Sequence, residues 1–119
     1  MDSYSAFYDN GGFSMTELHD KLENMGVDTL YITGLALDFC VFYSAMDATS
    51  LNYTTYVVED ATRGITPEGI AEAKSQMKEN GIRFINSSEV LSSPINGQIT
   101  LIPCAISLTF CLFILKYIR

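Results

Sequence analysis

Residues 29–59 read TLYITGLALDFCVFYSAMDATSLNYTTYVVE, and the change of pattern along this stretch decides the fold. Thr29–Thr33 is rich in β-branched and aromatic residues and stops at Gly34, which predicts a strand. The loop LALDF leads to Cys40, and the spacing predicts a helix from Phe39 to Leu51 with Phe42, Ala45, Met46 and Thr49 on its inner face. Thr54–Glu59 then reads as a second strand.

The same alternation continues on both sides. Downstream, Thr66-Pro67-Glu68 combines a capping hydroxyl, a proline at the first helical position and an acid in the first turn. Ile70, Ala73 and Met77 form the apolar stripe of that helix, Gly81 ends it, and Ile82–Ile85 follows as a third strand. Upstream, Ser14–Glu17 has the form of a capping box, with Leu18, Leu22 and Met25 at helical spacing and Gly26 as the stop. Residues 1–13 (MDSYSAFYDNGGF) read as a loop with its own aromatic packing.

Helices alternating with strands about 25 residues apart imply crossover connections and a parallel sheet, an α/β fold. Three strands bury little surface, and the first would leave its edge open, so the piece is expected to belong to a larger sheet or to self-associate through that edge.

A chain of 119 residues with 48% hydrophobic and 18% charged residues is globular and holds one small domain. All 14 acidic residues lie between Asp2 and Glu89, and the net charge is −7. An acidic body without a basic patch repels phosphate backbones, which excludes nucleic acid as a partner. Cys40, Cys104 and Cys111 make an odd number without a CxxC pair, so a disulfide framework is not expected and the default compartment is the cytoplasm.

After Leu91 the character changes. Residues 92–98 read as a linker, and Ile99–Leu115 is a run of 17 residues without a charge. As a helix this would span roughly 25 Å, slightly short of the ~30 Å hydrocarbon core. Residues 99–119 therefore read either as a membrane anchor, extended through Lys116 to Ile118, or as a hydrophobic tail with no evolved role.

In an open parallel sheet ligands bind beyond the carboxyl ends of the strands, so Gly34–Cys40 marks the rim to examine. A cysteine at a helix start meets N–H groups and a dipole that favour a thiolate and could hold an oxyanion. A lone cysteine is, however, more often a small buried hydrophobe. His19, the only histidine, reads as a surface residue, and the adjacent Glu59 and Asp60 read more simply as a turn than as an acid pair.

The wider residues carry a resemblance. Residues 34–64, GLALDFCVFYSAMDATSLNYTTYVVEDATRG, resemble the nicotinamidase branch of the isochorismatase-like cysteine hydrolases. Gly34, Leu35, Ala36, Asp38, Cys40 and Val41, then Ser44, Ala45, Asp47 and Ala48, match that family's pattern. DSYSAFYDN at residues 2–10 is similar to the stretch that follows the family's catalytic lysine.

The resemblance covers about residues 2–91 and makes residues 1–91 the C-terminal half of an isochorismatase-like domain, a partial three-layer α/β/α parallel sheet. It implies Cys40 as nucleophile, a cis peptide between Leu35 and Ala36, and an oxyanion hole from the N–H groups of Ala36 and Cys40. It places Tyr4 at the substrate pocket and makes Asp38 an ordering residue of the turn.

The implied substrate is nicotinamide, hydrolysed to nicotinic acid and ammonia through a thioester. The resemblance also implies a divalent, zinc-like metal, with Asp and Lys completing the triad. No lysine precedes Lys21, so the Asp, the Lys and the metal ligands are expected to be absent and this chain to be inactive alone. Two rival expectations are another isochorismatase-like hydrolase and a non-catalytic, membrane-tethered relic.

Overall fold

A computed structural model describes residues 4–9, 11–92, 99–103 and 111–116. The elements run α1 (Leu18–Asn24), β1 (Thr29–Leu35), a π-helical turn (Leu37–Val41), α2 (Phe42–Ser50), β2 (Thr54–Arg63), α3 (Pro67–Glu79), β3 (Arg83–Ile85), α4 (Ser87–Ser92), β4 (Ile99–Pro103) and β5 (Cys111–Lys116). The sheet order is β3-β2-β1-β5-β4. β1, β2 and β3 are parallel, whereas β5 runs antiparallel to β1 and β4 antiparallel to β5.

The parallel half follows from alternation along the strands. Leu30 and Ile32 of β1 and Val57 of β2 turn to one face, where they join Leu22, Leu37, Val41, Ala45, Ala48, Ala73 and Met77 in the main core. Tyr31 and Val58 turn to the other face, where among the described residues they form a smaller cluster with Val90 of α4, packed by Tyr56 and Ile85. Each fully buried large aliphatic side chain contributes about 1.5–3 kcal/mol. The face under α1, α2 and α3 therefore carries most of the stability. On α2 the fully buried residues are Ser44, Ala45 and Ala48, with Phe42 and Met46 only half-buried against the same core.

α3 forms where its sequence signals stand: the Thr66 side chain accepts from Gly69 N–H at 3.0 Å, and the chain leaves the helix through Gly81 at φ 83°. α1 starts later than the capping box predicts. Tyr8 and Met15 form a β-bridge and Thr16 donates its N–H to Phe7 O at 2.8 Å, which holds Ser14 away from the helix start, where Thr16 Oγ1 instead accepts from Leu18 N–H at 3.3 Å.

β2 runs four residues beyond the expected end. Register slips between Ile32↔Val57 and Gly34↔Thr62, a bulge after which the strand resumes and pairs Arg63 with Leu35. That resumption delivers Gly64 to the carboxyl end of β1.

Two segments of the hydrophobic tail are described. Ile99–Pro103 and Cys111–Lys116 are strands, and β5 pairs with β1 from Thr29↔Lys116 to Gly34↔Cys111. Ile, Leu, Phe and Thr favour extended backbone, and Pro103 would interrupt a helical hydrogen-bond ladder. The β1 edge expected to be open is thereby paired, which satisfies its main-chain groups. Among the described residues no helix is long and apolar enough to cross a membrane. The expected linker lies outside the described residues except for Ser92, the last residue of α4.

Candidate active site

β1 ends in a tight irregular corner. Gly34 has φ 116°, a conformation that side chains rarely adopt, and the Leu35–Ala36 peptide bond is cis. Ala36 itself is extended, and its carbonyl accepts from both Phe39 N–H at 3.1 Å and Val41 N–H at 3.0 Å. This shared acceptor winds Leu37–Val41 as a π-helical turn, a form that recurs at functional sites. Cys40 lies in the turn, 4% exposed and as a free thiol. Its packing is that of a core residue, alongside Leu37 and Val41.

An aromatic flank stands beside this turn. Tyr4, 49% exposed, stacks on Tyr43 and tilts against Phe39, with centroids 5.8 Å away in both cases. Phe42 meets Tyr43 edge-on at 5.2 Å. The loop carrying Tyr4 is pinned to α2: Ala6 N–H donates to Ser44 Oγ at 3.0 Å, and Thr16 Oγ1 donates to Ala6 O at 2.6 Å.

Tyr4, Tyr8, Tyr43, Asp9, Asp47 and Ser50 line a cavity of about 730 Å³. A second recess of about 480 Å³ runs past Asp38, Phe39, Tyr43, Ile65 and Glu72. Cys40 lines neither. The structure thus brings Tyr4 onto the residues that flank Cys40 in sequence, and keeps the sulfur beneath them.

Asp47 and Ser44 matched the family pattern without an assigned role. Burial pushes the Asp47 carboxyl up, and a hydrogen bond from Ser5 partly offsets that. With Ser44, which binds Ala6 across 38 positions, it forms the α2 side of a tether to Ser5 and Ala6 that no local pattern announces.

The remaining sequence candidates separate into structural roles. His19 is half-buried rather than on the surface: Nδ1 lies 2.7 Å from Tyr53 Oη, and Nε2 is 3.5 Å from Glu23. Burial, helped by Glu23 and Asp20, pushes the Tyr53 phenol up to about 12. Glu59 pairs with Lys74, while Asp60 accepts from Ser87 N–H at 2.8 Å and Ser87 Oγ–H at 2.6 Å, so the two acids point to different partners. Asp60 in effect caps α4 from β2.

The Asp60 contact carries a pH prediction. The Ser87 hydroxyl, then its N–H, lowers the Asp60 carboxyl below its ordinary 3.8. A lowered folded value means the contact is fully stabilising above that ordinary value and is lost as pH falls through the folded one. Hydrogen exchange of α4 amides is therefore expected to accelerate below pH 3.8 ahead of exchange in α3. Uniform protection of α4 and α3 down to pH ~2 would contradict it.

The resemblance implies a divalent metal, which needs several His, Cys, Asp or Glu donors in one place. Among the described residues no group of three or more His, Cys, Asp and Glu side chains could hold an ion, and His19 is already engaged. Among the described residues, then, the donors present do not fit a metal centre.

Residues 3–89 match the isochorismatase domain. A nicotinamidase of Acinetobacter baylyi is 38% identical over 92 residues, 76% of this chain and 43% of the relative. The structure of an Acinetobacter baumanii nicotinamidase/pyrazinamidase superposes with a TM-score of 0.72 at 39% identity, covering 75% of this chain and 44% of that one. A pyrazinamidase of Pyrococcus horikoshii in complex with zinc superposes with a TM-score of 0.63 at 35% identity, over 72% of this chain and 45% of that one. The chain thus spans less than half the length of the relatives it matches. A corner built by Gly34, a cis peptide and a π-turned Cys40, on a matched span that takes in every parallel strand, makes this chain a member of the isochorismatase domain family.

Proposed function

We propose that residues 1–91 carry the nucleophile-bearing part of a nicotinamidase, and that residues 92–98 and 99–119 lie outside the catalytic unit. The observation that carries this reading is the corner from Gly34 to Cys40, set beside the aromatic flank of Tyr4, Phe39 and Tyr43. Similarity to nicotinamidases supports the substrate.

In this reading the Cys40 thiolate attacks the carboxamide carbon of nicotinamide. The carbonyl oxygen takes up the electron pair as an oxyanion, held by the N–H groups of Ala36 and Cys40. Collapse breaks the C–N bond, the amine takes a proton and leaves as ammonia, and an acyl thioester remains on Sγ. Water then adds to the thioester, releasing nicotinic acid and restoring the thiol. Tyr4 gives the pyridine ring a stacking wall.

Proton transfer in both halves needs a base and a cation. Each described acid near the rim is already engaged: Asp38 by main-chain donors, Asp47 by Ser5, Glu59 by Lys74 and Asp60 by Ser87. The base, the cation and the metal site belong to sequence beyond these residues, so this chain alone is inactive. The cysteine chemistry suits the cytoplasm, where the thiol stays reduced.

A chimaera tests the assignment. Joining the part of the Acinetobacter baylyi nicotinamidase that precedes its matched region to residues 2–91 should restore release of ammonia and nicotinic acid from nicotinamide. Cys40→Ala in that chimaera should lower turnover by about 10⁴-fold or more. A folded chimaera that is inert towards nicotinamide, or that keeps its turnover without Cys40, defeats the reading. Preference for a different amide would instead select a sister hydrolase of the same family.

A further inference from the structure

Asp38 stands two residues before Cys40, and its carboxylate reaches across the rim to the start of α3. Oδ1 accepts from Ile65 N–H at 3.0 Å and Oδ2 from Thr66 N–H at 3.3 Å. These partners lie 27 and 28 positions away, on the bend that β2 delivers after its bulge. Among the described residues no cation pairs with Asp38.

Two glycines fit around this carboxylate. A Cβ at Gly69 would come within 2.8 Å of Oδ2, and one at Gly64 within 3.2 Å of Oδ1 and 2.2 Å of Ile70. Neither glycine has a positive φ, so what the site requires of them is space. The carboxylate and the bend are thus shaped to each other.

The Cys40 turn therefore has two anchors. Ala36 O holds it from within, through Phe39 and Val41 N–H, and Asp38 holds it from outside, against α3. The carboxylate oxygens are committed to main-chain donors, which leaves Asp38 unsuited to take a proton from the thiol.

We propose that Asp38 is the positioning residue of Cys40: it clamps the π-helical turn to the Ile65–Thr66 bend and so fixes where the sulfur sits at the rim. The proposal rests on Cys40 as nucleophile and adds that the turn takes its position from a distant bend. Gly64, just before that bend, and Gly69, in the first turn of α3, then govern the thiol without touching it.

The test uses the full 119-residue chain. Alkylation by iodoacetamide is followed by peptide mass spectrometry, which reads Cys40 separately from Cys104 and Cys111. Cys40 is nearly enclosed, so release of the turn exposes it. Asp38→Ala is expected to raise its alkylation rate about tenfold, equal to ~1.4 kcal/mol of local opening. Asp38→Asn keeps the shape and one acceptor oxygen, and should bring the rate back to within about threefold of the parent.

Thr66→Ala is the control. It removes the α3 cap on Gly69 N–H but leaves the Asp38 contacts to the main chain. At a comparable loss of thermal stability it should leave the Cys40 rate within about twofold. If Asp38→Ala does not fold, Gly69→Ala carries the test, since its methyl pushes on Oδ2, and it should raise the rate in the same direction.

An Asp38→Ala rate equal to the parent's, or a rise matched by Thr66→Ala, overturns the clamp while leaving Cys40 its role. A Cys40 that resists alkylation in every variant, even when the turn is released, overturns both the nucleophile and the clamp.

Discussion

Mixed with nicotinamide on its own, the 119-residue chain is expected to release ammonia about four orders of magnitude more slowly than the chimaera that restores its partners. Groups that activate a nucleophile act as a unit, and losing one member costs nearly as much as losing several. The described residues offer no substitute. Asp38 serves two main-chain donors, Glu59 holds Lys74, Asp60 holds Ser87, and His19 is bound to Tyr53. Freeing any of these would break a structural contact before it supplied a base. An ammonia-release assay on purified chain, with Cys40→Ser as the blank, measures the difference. Turnover at an ordinary enzymatic rate, sensitive to Cys40→Ser, would show that a base does lie within these residues and would sink the expectation.

Phe7→Ala should have the largest effect on folding, a loss of about 3–5 kcal/mol. Phe7 is fully buried, and its ring stacks on Tyr53 with centroids 5.9 Å apart. The loop that presents Tyr4 is also held by its main chain, with Thr16 N–H donating to Phe7 O and Ala6 N–H donating to Ser44 Oγ. A domain of this size has only about 5–15 kcal/mol in total, so the variant should be largely unfolded or loosely packed at room temperature. Phe13→Ala is the internal comparison: Phe13 is 93% exposed, and its loss should change stability by less than ~0.5 kcal/mol. Urea denaturation of the pair gives the answer. A drop below ~1 kcal/mol for Phe7→Ala would mean that residues 4–9 sit on the core without supporting it.

How much of this was legible depends on how local each cause is. α3 was readable to the residue because Thr66, Pro67 and Gly81 act on backbone within one turn of themselves. The strands β1 and β2 were readable from β-branched runs, but the end of β2 was not. Residues 60–62 look like a turn, and only pairing with Gly34 and Leu35 draws them back into the ladder. The capping box at Ser14 was outcompeted by a β-bridge to Tyr8, a tertiary contact overriding a local preference. α4, six residues long, is too short to show a period. The tail left a membrane anchor and a plain hydrophobic segment both open, because apolar runs do not announce their own period. Among the site residues, the pattern around Cys40 carried Cys40 and the Leu35–Ala36 corner into view. The tie from Asp38 to Ile65 and Thr66 has no such pattern behind it, and only the folded chain discloses it.

The unequal cover of the two sheet faces bears on how this chain would be degraded. Among the described residues, the helix that covers Tyr31 and Val58 is the short α4, whose first turn hangs on Asp60. Such a helix opens at a small fraction of the cost of global unfolding. A protease sampling the native chain would thus cut first around Ser87–Ser92, long before it reached α2 or α3. The newly bared strip of Tyr31, Tyr56 and Val58 would then be a handle for quality-control machinery, read from a molecule whose Gly34–Cys40 corner is still intact.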